Sequence, residues 1–102
     1  MNKNKVFLDA KWWKCEGDFY SALLEKLAAP AWHSHGLDAF VDSMIYGGIN
    51  GVEQPYNITI QNTGSLDEIM KSKINEFIKY IEKEQIVARK DGYDSEISFE
   101  LM

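Results

Sequence analysis

The stretch that decides the fold is Trp32–Tyr46, WHSHGLDAFVDSMIY. Leu37, Phe40, Val41, Met44 and Ile45 recur at i, i+3, i+4, i+7 and i+8, a spacing that predicts an α-helix burying those five side chains. Asp38 and Asp42 fall one turn apart on the flank of the same helix and project side by side toward solvent. Like charges at this spacing cost an isolated helix about 0.2–0.5 kcal/mol. Asp38 regains part of that in the first turn, where the helix dipole favours an anion, whereas Asp42 lies too far along. No neighbouring residue in the sequence neutralises the pair.

The charge distribution of the whole chain sharpens this. Between Leu27 and Met70 there is no Lys or Arg, while Asp38, Asp42, Glu53, Asp67 and Glu68 lie inside the window. The remaining acidic residues balance all 11 basic ones, so the formal net charge of −5 belongs to the middle of the chain. Such a region is either a solvated acidic face or a docking surface for something cationic.

Working outward, the 102 residues, 45% hydrophobic and 13% aromatic, suffice for one compact domain spanning 1–102. The basic start MNKNKVFLDA has too short an apolar run for a signal-peptide core. No stretch approaches the roughly 20 apolar residues that cross a bilayer. With the single cysteine Cys15, this favours the reducing cytoplasm. Val6–Asp9 reads as a strand, and FYSALLEKLAA as a helix of about three turns, capped by Asp18 and stopped by Pro30. Of the adjacent Trp12 and Trp13, one is expected to cover the core edge.

Beyond the central helix, GGINGVEQP is a loop abutting the acidic face. Tyr56, Ile58 and Ile60 alternate with Asn57, Thr59 and Gln61, a strand with one buried and one polar face. Strands in a sheet covered on both faces read as continuous apolar runs, so helices are expected mainly on one face. Ser65 and Glu68 read as a capping box for a long helix with the stripe Met70, Ile74, Phe77, Ile78 and Ile81, ending near Gln85. Asp91-Gly92 turns the chain into a last strand with Ile97, Phe99 and Leu101. The order β-α-α-β-α-β predicts a small α/β domain.

Catalytic constellations are scarce: there is no glycine-rich phosphate loop, no paired cysteines and no supported Ser/His/Asp arrangement. His33 and His35 form an H-x-H pair near Asp38, which supplies metal ligands only if a third residue converges. Histidines in such a loop are more often partly exposed side chains. Beside the carboxylate pair they are placed to tune binding as the medium turns mildly acidic. An acidic face repels phosphates, and no basic patch with interleaved aromatics is present, so nucleic acid is not an expected partner.

DFYSALLEKLAAPAW followed by HGLDAFVDSM resembles the barstar family, small bacterial inhibitors of secreted ribonucleases. The shared pattern of first strand, capped helix, proline-ended loop and L-D-A-hydrophobic-x-D runs from Phe7 to Met44; the second half matches in element order. The resemblance implies a three-stranded parallel sheet with packed helices, and a protein that plugs a nuclease active site in a one-to-one complex. It implies that Asp42 enters where the scissile phosphate binds, that Asp38 also contacts the nuclease, and that Trp32 packs on a catalytic histidine. Gly36, His33, His35 and Tyr46 flank these positions and complete the candidate partner-binding set. The chain departs from the family's namesake at Gly36, which replaces an asparagine, at Val41, which replaces a tryptophan, and in a longer Gly47–Pro55 loop. No cofactor and no catalytic residue are expected, and neither a membrane nor a nucleic acid is an expected partner. The leading expectation is an immunity protein against a cationic nuclease toxin. The alternatives are an acidic interaction module regulating a non-nuclease partner and, third, a metal-dependent enzyme on His33, His35 and Asp38.

Overall fold

The computed structural model describes residues 3–102, and its elements follow in the predicted order. β1 (Asn4–Asp9), β2 (Tyr56–Gln61) and β3 (Ile97–Leu101) form a three-stranded parallel sheet with β2 in the centre. Parallel neighbours require crossovers, and both are helical. β1 reaches β2 through α1 (Glu16–Lys26) and α2 (Leu37–Phe40), which continues directly as a π-helical segment, Val41–Tyr46; β2 reaches β3 through α3 (Glu68–Lys90).

The register aligns Val6, Ile58 and Phe99 across the sheet, with Leu8 beside Ile60. Val6, Leu8, Tyr56, Ile58, Ile60 and Ile97 are buried, whereas Lys5, Phe7, Asp9, Gln61 and Glu100 at alternate positions are exposed. The helices therefore cover mainly one face, as the alternation in β2 predicts. Thr59, expected on a polar face, is buried, because it lies in register between Phe7 and Glu100 on the central strand.

On the covered face, an aromatic cluster joins all the helices. The Phe77 ring of α3 stands edge-on to Phe19 of α1 and to Phe40 of α2, each at 5.2 Å between centroids, and Tyr20 lies 5.3 Å from Phe40. Each such pair contributes about 0.5–1.5 kcal/mol beyond the area it buries. Trp13 leans on Phe19 at 5.5 Å while Trp12 is exposed, so the adjacent tryptophans divide as expected. Among the described residues no helix is long and apolar enough to cross a membrane.

Three expected boundaries shift. Asp18 does not cap α1; the N-cap is Cys15, and Asp18 sits at the third helical position, accepting from the backbone N–H of Lys14 (2.8 Å) and Cys15 (3.3 Å). The Lys14 N–H in particular holds the Asp18 carboxyl below the usual carboxylate range. α3 is capped by Asp67, whose Oδ1 accepts from the Met70 N–H at 2.8 Å. Ser65 is already engaged in a short 3-10 turn, Thr63–Ser65, where its hydroxyl donates to the Asn62 carbonyl at 2.8 Å. α3 also runs to Lys90 rather than stopping near Gln85.

The reason for that last shift is Gln85, which is buried although polar. Its Oε1 accepts from the Ile97 N–H at 2.8 Å and the Ser95 hydroxyl at 3.1 Å, and its Nε2 donates to the Ile97 carbonyl at 3.1 Å. A glutamine on the inner stripe thus splices the start of β3 to the helix, and the stripe continues to the buried Ala88. Gln85→Leu removes these hydrogen bonds and leaves the backbone of Ile97 buried and unpaired. The expected loss is about 1–3 kcal/mol, read as a lower urea midpoint at unchanged slope.

Candidate functional site

The second helix begins at Gly36, which is exposed, has extended backbone (φ −71°, ψ 145°) and offers no side-chain cap. Its carbonyl accepts from the Phe40 N–H at 3.2 Å, and Ser34 Oγ accepts from its own N–H at 3.2 Å. After Phe40 the helix widens, and the Gly47 N–H donates to the Asp42 carbonyl at 2.9 Å, an i→i+5 closure. Such π-turns are rare and often occur at functional sites. Here the wider turn adds Ser43 to the buried Phe40, Val41, Met44 and Ile45. Leu37, expected on the buried stripe, is 40% exposed, since it lies at the helix start beyond the aromatic cluster.

His33 is the partner that Ser43 turns toward. The structure corrects its expected part-exposure: the ring is buried, 5.2 Å from Phe40, with Nε2 2.7 Å from Ser43 Oγ and Nδ1 2.7 Å from the Ser34 carbonyl. A carbonyl only accepts, so Nδ1 donates, and in the neutral ring Nε2 accepts from the Ser43 hydroxyl. With both nitrogens engaged, His33 braces the π-turn from inside. His35 is exposed and its ring lies 5.7 Å from Tyr20. The metal reading thereby loses a ligand, and among the described residues no three His, Cys, Asp or Glu side chains gather for a metal ion.

The carboxylates divide by what they touch. Glu53 Oε1 accepts from the Gly48 N–H at 2.8 Å, Asp67 caps α3, and Glu68 lies 3.7 Å from the Lys71 ammonium. Asp38, exposed, accepts from the Tyr80 hydroxyl of α3 at 3.4 Å. Loss of hydration at Tyr80, with the Glu84 and Asp38 carboxylates nearby, raises that hydroxyl above the usual phenol range. Asp42 is exposed and, among the described residues, has neither a hydrogen bond nor an ion pair on its carboxylate. Of five acidic side chains in the window free of basic residues, one is left uncommitted.

Exposed aromatic side chains stand before and after this helix in the chain. Trp32, in the loop before the helix, is 73% exposed, and Tyr46 at the helix end is 40% exposed with its ring perpendicular to Tyr93, 4.9 Å between centroids. Sequence reasoning missed Tyr80 and Tyr93. Tyr80, Glu84 and Val87 do fall at i, i+4 and i+7 on α3, one stripe beside the buried one, but only the packed structure shows which helix that stripe faces. The wide surface hollows lie elsewhere, one by Gln54, Arg89 and Ser95, another by Asp9, Asn62 and Gly64 at the carboxyl ends of the strands.

A scan against models of protein families gives no match to this chain, and a comparison with curated proteins gives none.

Ser43→Ala leaves His33 Nε2 buried without a partner. The expected cost is about 1–3 kcal/mol in denaturant melts, with weakened amide protection at Gly47, whose N–H closes the π-turn. Unchanged protection there would show that His33 does not hold the turn.

Proposed function

We propose that this protein is an immunity protein: it binds a cationic nuclease toxin, a ribonuclease on the strength of the family resemblance, and silences it by placing the acidic second helix in the active site. The observation that carries this reading is Asp42, an exposed carboxylate without a partner among the described residues, on a helix whose opposite side is anchored in the core. An enzyme that cleaves a phosphodiester must gather cationic groups around the phosphate. An exposed helix presenting Asp42 and Asp38 offers those groups the charge of the substrate without a bond to cleave. Trp32 extends the contact beyond the carboxylates. The protein itself performs no catalysis in this account and works without a cofactor, in the cytoplasm, where a lone exposed thiol at Cys15 stays reduced.

Long-range attraction between this face and a basic cleft speeds encounter and is screened by salt. The test uses the product of the gene immediately upstream, captured on immobilised protein and assayed for ribonuclease activity with free protein added. Wild type is expected to retain and silence it. Asp42→Ala is expected to weaken binding by at least about 30-fold, because it strands the partner's buried cations. Equal affinity in wild type and Asp42→Ala would overturn the phosphate-mimic mechanism. Retention of a partner that lacks nuclease activity would favour the acidic interaction module instead.

A further inference from the structure

The two edges of the sheet differ in what covers them. Along a strand, residues whose backbone N–H and C=O face one neighbour alternate with residues whose groups face the other side. At the β3 end the Tyr56 N–H donates to the Glu96 carbonyl at 3.0 Å and the Met102 N–H to the Ile60 carbonyl at 2.8 Å, so Ile97, Phe99 and Leu101 face away from β2. Gln85 occupies the first of these, accepting from the Ile97 N–H at 2.8 Å and donating to its carbonyl at 3.1 Å. On β1 the Asn4 N–H donates to the Pro55 carbonyl at 2.8 Å and the Ala10 N–H to the Gln61 carbonyl at 2.9 Å. Lys5, Phe7 and Asp9 therefore turn their N–H and C=O groups outward, and among the described residues no group meets them there. Their side chains lie on the uncovered face of the sheet, with Phe7 51% exposed. A row of unpaired backbone groups on an edge strand is a template for another strand.

We propose that β1 is a pairing edge for a second copy of this chain, joined antiparallel through Lys5, Phe7 and Asp9 into one continuous sheet. The strand is complementary to itself. In an antiparallel pair centred on Phe7, each Lys5 stands opposite Asp9 of the other copy and the two Phe7 rings meet at the two-fold axis, as an isologous contact requires. The backbone parity agrees, because the residues that such a pair joins by hydrogen bonds are the three whose N–H and C=O groups face outward. Opposite charges and aromatic rings directly across a strand pair favour this register, whereas registers that bring Lys5 onto Lys5 or Asp9 onto Asp9 oppose like charges. Asp9 is also held in advance: its Oδ1 accepts from the Asn62 side chain at 2.8 Å and the Lys11 N–H at 2.9 Å, so little side-chain freedom is lost when a lysine reaches it. A contact of this length lies at the small end of protein interfaces, which gives a weak dimer with a dissociation constant on the order of 100 μM. Asp38, Asp42 and Trp32 are not part of this edge, so the inference stands apart from the inhibitor role proposed above.

The test is sedimentation equilibrium of the full chain from about 10 μM to about 1 mM, with amide exchange read at Lys5, Phe7 and Asp9. Wild type is expected to pass from monomer to dimer across that range and to gain protection at those amides. Lys5→Asp and Asp9→Lys each set like charges against one another on both sides of the two-fold axis, and each is expected to weaken the dimer at least about tenfold. Mixed one to one, the two variants face opposite charges at every pair and are expected to form a heterodimer within about threefold of the wild-type dissociation constant, which also shows that both are folded. Phe7→Pro removes an N–H that the β1–β2 ladder does not use and is expected to abolish the dimer while the circular dichroism of the monomer is kept. A wild type still monomeric at the highest concentration, a dimer indifferent to Phe7→Pro, or a variant mixture that stays monomeric would overturn the inference. Protection of the three amides only when the captured nuclease is added would give the edge to that partner's strand and overturn it equally.

Discussion

Everything exposed on the second helix depends on what its inner side buries. Phe40 is fully buried between Phe77, Tyr20 and His33, at centroid distances of 5.2–5.3 Å. This one ring locks the short helix to α1 and to α3 at once, and truncating such a side chain costs about 3–5 kcal/mol. The segment is too short for its own hydrogen bonds to hold it. Its direction, its π-turn and the outward aim of Asp38 and Asp42 are set by packing, and the polar surface is what remains after the apolar side is satisfied.

The loop after the helix completes that fixation. Gly47 and Gly48 have left-handed backbone (φ 79° and 82°), and a Cβ on Gly47 would lie 2.7 Å from Glu53 Oε2, so the turn that brings Glu53 back onto the Gly48 N–H requires glycine there. Further along, the Gly51 N–H donates to the Ala28 carbonyl at 2.9 Å and the Val52 N–H to Leu27 at 3.0 Å. The loop thus seals the end of α1. Glu53, one of the five acidic residues of the basic-free window, is engaged by this turn.

What was legible in the chain was whatever repeats with the period of an element. The alternation of Tyr56, Ile58 and Ile60 and the stripe of α3 are enough to predict one covered sheet face and the order of elements, and the three-stranded parallel sheet agrees. Boundaries were less legible because competing local chemistry decides them: Asp67 and Ser65 both suit an N-cap, and a neighbouring turn takes the serine. Gln85 reads as the end of a stripe because its partners, the backbone of Ile97 and the hydroxyl of Ser95, lie in the next element. At the candidate site the exposure of Asp38 and Asp42 follows from helical spacing alone. The inward turn of His33 does not, because it depends on a π-turn that places Ser43 beneath it. The Tyr80–Asp38 and Tyr46–Tyr93 contacts join residues 42 and 47 positions apart, a separation at which no local pattern speaks.

Charge and shape converge on one account. The net charge of −5 is concentrated in the basic-free middle of the chain, four of its five carboxylates are engaged by a turn, a cap, an ion pair or a tyrosine hydroxyl, and Asp42 remains on an exposed, core-anchored helix. A substrate mimic needs that combination, since a flexible acidic segment would lose much of its binding free energy to ordering. The central claim is that the helix occupies the partner's phosphate site, and competition tests it most directly. With the captured nuclease held at fixed concentration, a non-cleavable oligonucleotide analogue should weaken the protein's apparent affinity in proportion to its own occupancy, with no ternary complex formed. A ternary complex, or an affinity indifferent to the analogue, would place the helix outside the active site and contradict the account.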